Sequence, residues 1–133
     1  MAPIANWIRR IMLIGNGLTF LGIAIGVLLA TSKAAYLYGY TLNGIDGLNE
    51  FRAVYIGFWI GLTVLFFTAA KKLELTVLGD IGFLMVLLQS LGRLLSFVLD
   101  GKPSERFIVV FFLEFFTGLI GLLIRPRFTQ SSS

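Results

Sequence analysis

Arg93 and Glu114 are opposite charges standing inside stretches that are otherwise apolar and long enough to cross a bilayer. A charge at membrane depth costs about 2.5–3.5 kcal/mol on insertion scales, so it calls for a partner. Counted at 1.5 Å per residue along adjacent antiparallel helices, the two lie at similar depth, each about 10 Å from the same membrane face. An ion pair between them follows. Gln89, one turn before Arg93 on the same helix face, is placed to add a hydrogen bond, and Gly82 and Ser96 share that face. Three roles suit such a cluster: a staple that sets helix register, a polar floor for the head group of a small ligand, or a step in a proton or ion route. The third needs more polar residues between this cluster and the opposite face than the chain offers.

Two further groups of polar residues flank the pair. Asn49, Glu50 and Arg52 precede the second apolar run. Asn49 can cap a helix there, with Glu50 against its positive end and Arg52 reaching to the head groups. Equally, Glu50 or Arg52 can turn inward and extend the Arg93–Glu114 pair into a four-member network. Towards the opposite face, Asn16 and Asp80 are candidates for a shallow polar pair. Asp80 points about half a turn from the Gln89 face, towards the interface or the first helix.

Other chemistry is excluded by composition. The chain has no Cys and no His, which removes thiolate and imidazole metal ligands and the usual general base. No metal or cofactor is expected. The loop around Asp46 lacks the acidic spacing of a calcium loop. Gly15-Asn16-Gly17 follows no strand, so it is no dinucleotide fingerprint. An intramembrane enzyme using Glu114 as acid or base would lack a partner nucleophile. The net charge is +4, but the basic residues sit at segment ends, so no nucleic-acid partner is expected.

The elements that must carry these residues are membrane spans. Of 133 residues, 57% are hydrophobic and only 14% charged, against roughly 25% charged in soluble domains; mean hydropathy is +0.90. Four apolar runs predict helices over residues 11–30, 50–70, 76–99 and 105–124, each long enough for a hydrocarbon core of about 30 Å. The fold class is all-α: one domain, 1–133, of four antiparallel transmembrane helices. The first run is too long for a signal-peptide core and ends without a small-residue cleavage site. Arg9, Arg10, Lys71, Lys72, Arg125 and Arg127 fall on one side, and Lys33, Lys102 and Arg106 on the other, predicting cytoplasmic termini. Residues 31–49 read as the main external loop, with Tyr36, Tyr38 and Tyr40 in an interfacial belt. Ser104 is placed to cap the last helix, and residues 129–133 read as a polar, frayed tail. Gly15, Thr19, Gly22 and Gly26 in the first helix, Ala53, Gly57 and Gly61 in the second, and Gly118 and Gly121 in the last suggest close helix packing within the chain, with a dimer seam along the Gly22–Gly26 and Gly57–Gly61 pairs as the alternative. Four phenylalanines, Phe111, Phe112, Phe115 and Phe116, surround the last helix, so some must face lipid.

These residues carry a resemblance. N-E-F-R-A-V-Y from Asn49 to Tyr55, L-G-R-L-L from Leu91 to Leu95, L-D-G-K-P-S from Leu99 to Ser104, and Glu114 resemble a family of small bacterial four-helix inner-membrane proteins known only as a domain of unknown function. Its layout is loosely similar to that of DoxX-type proteins. The resemblance spans roughly residues 49–124 and implies a multi-pass protein of the bacterial inner membrane, with no reaction to carry over. The resulting expectation is a non-enzymatic accessory protein, or a binder of lipid or another apolar ligand. Membrane lipids, a membrane-protein partner or a second copy are its candidate partners. A small oligomeric channel or transporter is the alternative.

Overall fold

The computed structural model describes residues 2–126, and all secondary structure among them is helical. Helix α1 spans Ala2–Leu29, and a short α2 follows at Thr31–Leu37. The second membrane-length helix is composite: α3 (Gly44–Arg52), a π-helical segment (Ala53–Phe58) and α4 (Trp59–Lys71). Then come α5 (Thr76–Asp100) and α6 (Glu105–Leu123). Four stretches, Ile4–Leu29, Gly44–Lys71, Thr76–Asp100 and Glu105–Leu123, are long and apolar enough to cross a membrane. No more than a third of any of them is buried within the protein. Leu29, Val64, Leu88 and Leu113 point outward. So continuous an apolar surface belongs in lipid.

Two boundaries differ from the sequence reading. Helix α1 begins at Ala2, so Arg9 and Arg10 lie inside it rather than ahead of it. An apolar run marks what sits in hydrocarbon, whereas a helix extends as far as its backbone bonds and any polar side chain find partners. The expected loop over 31–49 is also mostly helical, with only residues 38–43 outside helices. Val27, Ala35 and Phe51 form a small apolar cluster that draws α2 and α3 onto the end of α1. Gly39 (φ 80°) and Gly44 (φ 64°) make the reversal between them, in a backbone region that disfavours other residues. The helix N-cap is therefore Asn43, not Asn49, and neither its side chain nor that of Ser104, which does hold the N-cap of α6, bonds the helix amides. The Ser104 carbonyl accepts from Phe107 and Ile108 instead.

The helices pack as two close pairs, α1 with α4 and α5 with α6. At the end of the bundle that carries the chain termini (the terminal end), Leu13, Phe20, Leu62, Phe66, Phe83 and Val86 join the pairs in one core. Phe66 links them, 5.8 Å from the Phe20 ring and 5.9 Å from that of Phe83. Towards the opposite, loop end the pairs part. The last buried residue of α5 is Ser90, ten residues before its end, and α1 barely meets α6. The bundle is a fork, closed at the terminal end. Around α6, Phe111 turns inward against Phe97 while Phe112 and Phe116 face outward.

Glycine placement corrects the packing expectation. A side chain at Gly15, Gly22, Gly26, Gly57 or Gly61 would meet nothing within 4 Å, so both G-x-x-x-G pairs face open space rather than a neighbouring helix. In the last helix the expectation holds: close approach occurs at Gly118, where a Cβ would stand 2.8 Å from the backbone nitrogen of Leu87, and at Gly121, where it would run into the Phe83 ring. Backbone cannot yield as a side chain does. Gly118→Ala should therefore lower the stability of the α5–α6 pair by about 1–3 kcal/mol. Gly22→Ala, in an open helical position, should be neutral or stabilising by up to about 1 kcal/mol. Thermal unfolding in detergent, followed by circular dichroism, compares the two.

Candidate functional site

Helices α5 and α6 pack closely together, with Gly118 admitting the backbone of Leu87 and Gly121 the Phe83 ring. That approach brings Arg93 against Glu114. Arg93 Nε donates to Glu114 Oε2 at 2.7 Å and Nη2 to Oε1 at 3.0 Å, a bidentate pair. Gln89 Nε2 donates to the same Oε1 at 2.9 Å. Helix geometry puts Arg93 and Glu114 about 10 and 14 Å in from the loop end. Both are part-buried, with 26% and 17% of their side-chain surface exposed. Arg93 also lies 5.8 Å from the Phe107 ring centre. Its Nη1 has no hydrogen-bond partner among the described residues, so two donor protons remain available.

The cluster separates two crevices of the forked bundle. One, of about 520 Å³, lies between the π-helical segment and α5, lined by Tyr55, Phe58, Trp59, Arg93, Ser96 and Phe107 among others. The second, of about 490 Å³, lies between α1 and α6, lined by Asn16, Thr19, Phe20, Trp59, Leu113 and Glu114 among others. Gln89 and Trp59 line both. Each volume falls within the usual range for small-molecule sites. Gly15 and Thr19, part of the stripe that suggested helix packing, belong to the wall of the second crevice. Their small side chains leave space there rather than admit another helix.

A stack of aromatic rings faces the first crevice. Phe51 and Tyr55 are 4.4 Å apart, Tyr55 and Trp59 4.8 Å, and Tyr38 lies 5.1 Å from Tyr55. In a regular α-helix, residues four apart drift by roughly 40° per step. The wider π turn takes back part of that drift, so rings at 51, 55 and 59 stay in line. π-helical turns recur at functional sites. Tyr40 closes the stack, accepting from the Tyr55 hydroxyl at 3.1 Å. Tyr38 and Tyr40 thus fold onto the protein, and only Tyr36 stands fully out as an interfacial tyrosine. Burial pushes the Tyr38 phenol above its ordinary range, so it stays neutral.

The remaining candidates do not join this cluster. Arg52 Nε reaches Thr31 Oγ1 at 3.4 Å. Asn49 and Glu50 are exposed, without a side-chain partner among the described residues. The four-member network is not formed: Arg52 turns to Thr31 and Glu50 to the surface. Asn16 and Asp80 do not pair either. Asn16 Nδ2 donates to Met12 O on its own helix, whereas Asp80 lies beyond its reach, nearer the terminal end.

Asp80 has another partner, Arg9, which sequence reasoning took for a topology signal. Arg9 is 1% exposed, and its Nη2 donates to Asp80 Oδ1 at 2.6 Å and to Thr76 O at 3.2 Å. Nη1 donates to Gly121 O and Ile124 O, both at 2.8 Å. These are carbonyls at the end of α6, where a helix leaves acceptors unpaired and favours a cation. Arg125, mostly exposed, adds a second contact to Asp80 at 3.3 Å. The Arg9 guanidinium lies 5.4 Å from the Phe83 ring centre, and Gly79 makes room for it. One signal could have found this group: an acid in an apolar run, matched to a cation of similar depth on the first helix. Arg127 lies outside the described residues, as does the polar tail at 129–133.

With this geometry in place, the chain can be set beside known proteins. The profile of a family described as domain of unknown function (DUF4345) matches residues 8–124, and the chain belongs to that family. The match includes α1, which the sequence motifs had tied to the family only by hydropathy. No curated protein and no solved structure matches the chain.

Removing one partner of a buried ion pair typically costs about 3–5 kcal/mol. Arg9→Gln should destabilise by that order, and a double-mutant cycle with Asp80→Asn should give a coupling energy above about 1 kcal/mol. Glu50→Gln and Arg52→Gln should each fall within about 0.5 kcal/mol of the parent protein. Unfolding in a mixed-detergent titration reads all four.

Proposed function

We propose that this DUF4345 protein is a non-enzymatic, multi-pass inner-membrane protein that binds an amphiphile inside the bilayer, with the Arg93–Glu114–Gln89 cluster holding the ligand's head group. One observation carries the reading: a polar cluster with spare donors between two crevices of about 520 and 490 Å³. A pair serving only as a staple would be expected in a filled interior. The pair is neutral overall, and the free Nη1 protons of Arg93 suit a head group that accepts hydrogen bonds, such as an ester carbonyl or a hydroxyl. The apolar body would lie against Val54, Phe58 and Phe97. Glu114 already accepts from Arg93 and Gln89, which favours a fixed acceptor over a proton-transferring acid or base.

Trp59 lines both crevices and is buried, and the other tryptophan, Trp7, can be replaced. In a Trp7→Phe background, a monoacylglycerol brominated on its chain should quench Trp59 fluorescence saturably. In the Arg93→Gln/Glu114→Gln variant, which removes both charges, half-saturation should rise at least about tenfold, a loss of about 1.4 kcal/mol. Quenching that grows linearly in the parent protein, as bulk lipid collisions produce, would defeat the reading.

Orientation belongs to the same proposal. Arg9 is buried in the folded bundle, but insertion precedes folding, so it still counts with Arg10, Lys71, Lys72 and Arg125 towards cytoplasmic termini. The chain has no native cysteine. In intact cells, a membrane-impermeant maleimide should label Asp46→Cys but not Lys72→Cys. The reverse pattern would invert the topology.

A further inference from the structure

A third crevice, separate from the polar cluster, opens at the loop end between α1, α2 and α6. It encloses about 370 Å³ and is lined mostly by apolar residues, with Ile23, Val27, Leu37 and Val110 among them; Tyr38 adds a phenol, and two residues are charged, Lys33 on α2 and Arg106 in the first turn of α6. The two cations come from different helices, α2 and α6. Neither has an acidic partner among the described residues, and Arg106 lies only against the Phe107 ring, 5.0 Å from its centre. Glu105 and Asp100, the nearest acids in sequence, are not among the lining residues. The free amides at the positive end of α6 add to the same field. Ile23 and Val110 also line the crevice between α1 and α6, so the apolar floor runs on towards the middle of the span.

Two unpaired cations over an apolar channel, at the ends of membrane-spanning helices, match one kind of occupant. We propose that this crevice is a binding site for an anionic phospholipid, its phosphate held between Lys33 and Arg106 and the upper part of one acyl chain lying along Ile23, Val27 and Val110. Charge complementarity selects the head group, because basic side chains at the membrane surface attract anionic lipids. The apolar walls explain why a chain-bearing phosphate, rather than free phosphate, fits. This site does not depend on the reading of the Arg93–Glu114 cluster.

Native mass spectrometry of the full chain in detergent tests the assignment. The probe is an equimolar mixture of phosphatidylglycerol and phosphatidylcholine with identical chains. The expected result is at least a threefold preference for phosphatidylglycerol, abolished in Lys33→Ala/Arg106→Ala. The charge-conserving Lys33→Arg/Arg106→Lys variant should keep it, and so should Arg93→Gln/Glu114→Gln, whose two residues do not line the crevice. Lys102→Ala removes a neighbouring cation that does not line the crevice, and it too should keep the preference. No preference in the parent protein overturns the proposal. So does its survival in Lys33→Ala/Arg106→Ala, or an equal loss in Lys102→Ala, which would mean a diffuse surface charge. Added inorganic phosphate should fail to displace the lipid; displacement would point to a free anion as the natural occupant and also overturn the proposal.

Discussion

A single buried guanidinium closes this bundle. Arg9 reaches from the first helix to the start of α5 and to the frayed end of α6, and satisfies four acceptors on the way. Lipid supplies no hydrophobic drive to bring helices together, so packing and polar contacts must do it. Arg9 performs this at the terminal end, with Asp80 balancing its charge and the Phe20–Phe66–Phe83 rings filling the core beside it. Because that end is joined so firmly, the α1–α4 and α5–α6 pairs can part at the other without the bundle coming apart.

The parting is what makes a site. In a bundle packed evenly along its length, Arg93 and Glu114 would be a staple between two helices and little more. Here they are the wall between two crevices, and their own partners come from α5 and α6 alone. The cluster is therefore held rigidly by one helix pair while the opposing surfaces come from the other. The π-helical segment contributes by keeping three aromatic rings in line in front of Arg93. Rigid donors facing a space of ligand size, lined with aromatic and aliphatic side chains, are the common properties of small-molecule sites.

The residues that failed to join the site did so for a shared reason. Asn49, Glu50 and Arg52 were read at the start of a regular helix, whereas the helix starts at Gly44 and widens into a π-helical segment at Ala53, so Asn49 is no cap and the wider turn alters the phase between these residues and the rest of the span. The glycine stripes failed differently. A small residue permits close approach but does not compel it: Gly118 lies against the backbone of Leu87 and Gly121 against the Phe83 ring, whereas Gly22, Gly57 and Gly61 have no neighbour where a side chain would stand. Gly15 and Gly26 instead leave crevice walls open.

Four spans, the all-helical class and the meeting of Arg93 with Glu114 and Gln89 were legible in the chain alone. Hydrophobic length reports directly on bilayer thickness, and a short loop between antiparallel helices leaves two charges of equal depth little choice of partner. The pairing of Arg9 with Asp80, the π-helical segment and the crevices were decided by the tertiary structure. The Arg9 contacts join residues 67 to 115 apart, and the crevices depend on how far two helix pairs separate; no local pattern encodes such distances. A buried arginine and a topology-setting arginine look the same in sequence; only the carbonyls brought around it by folding tell them apart.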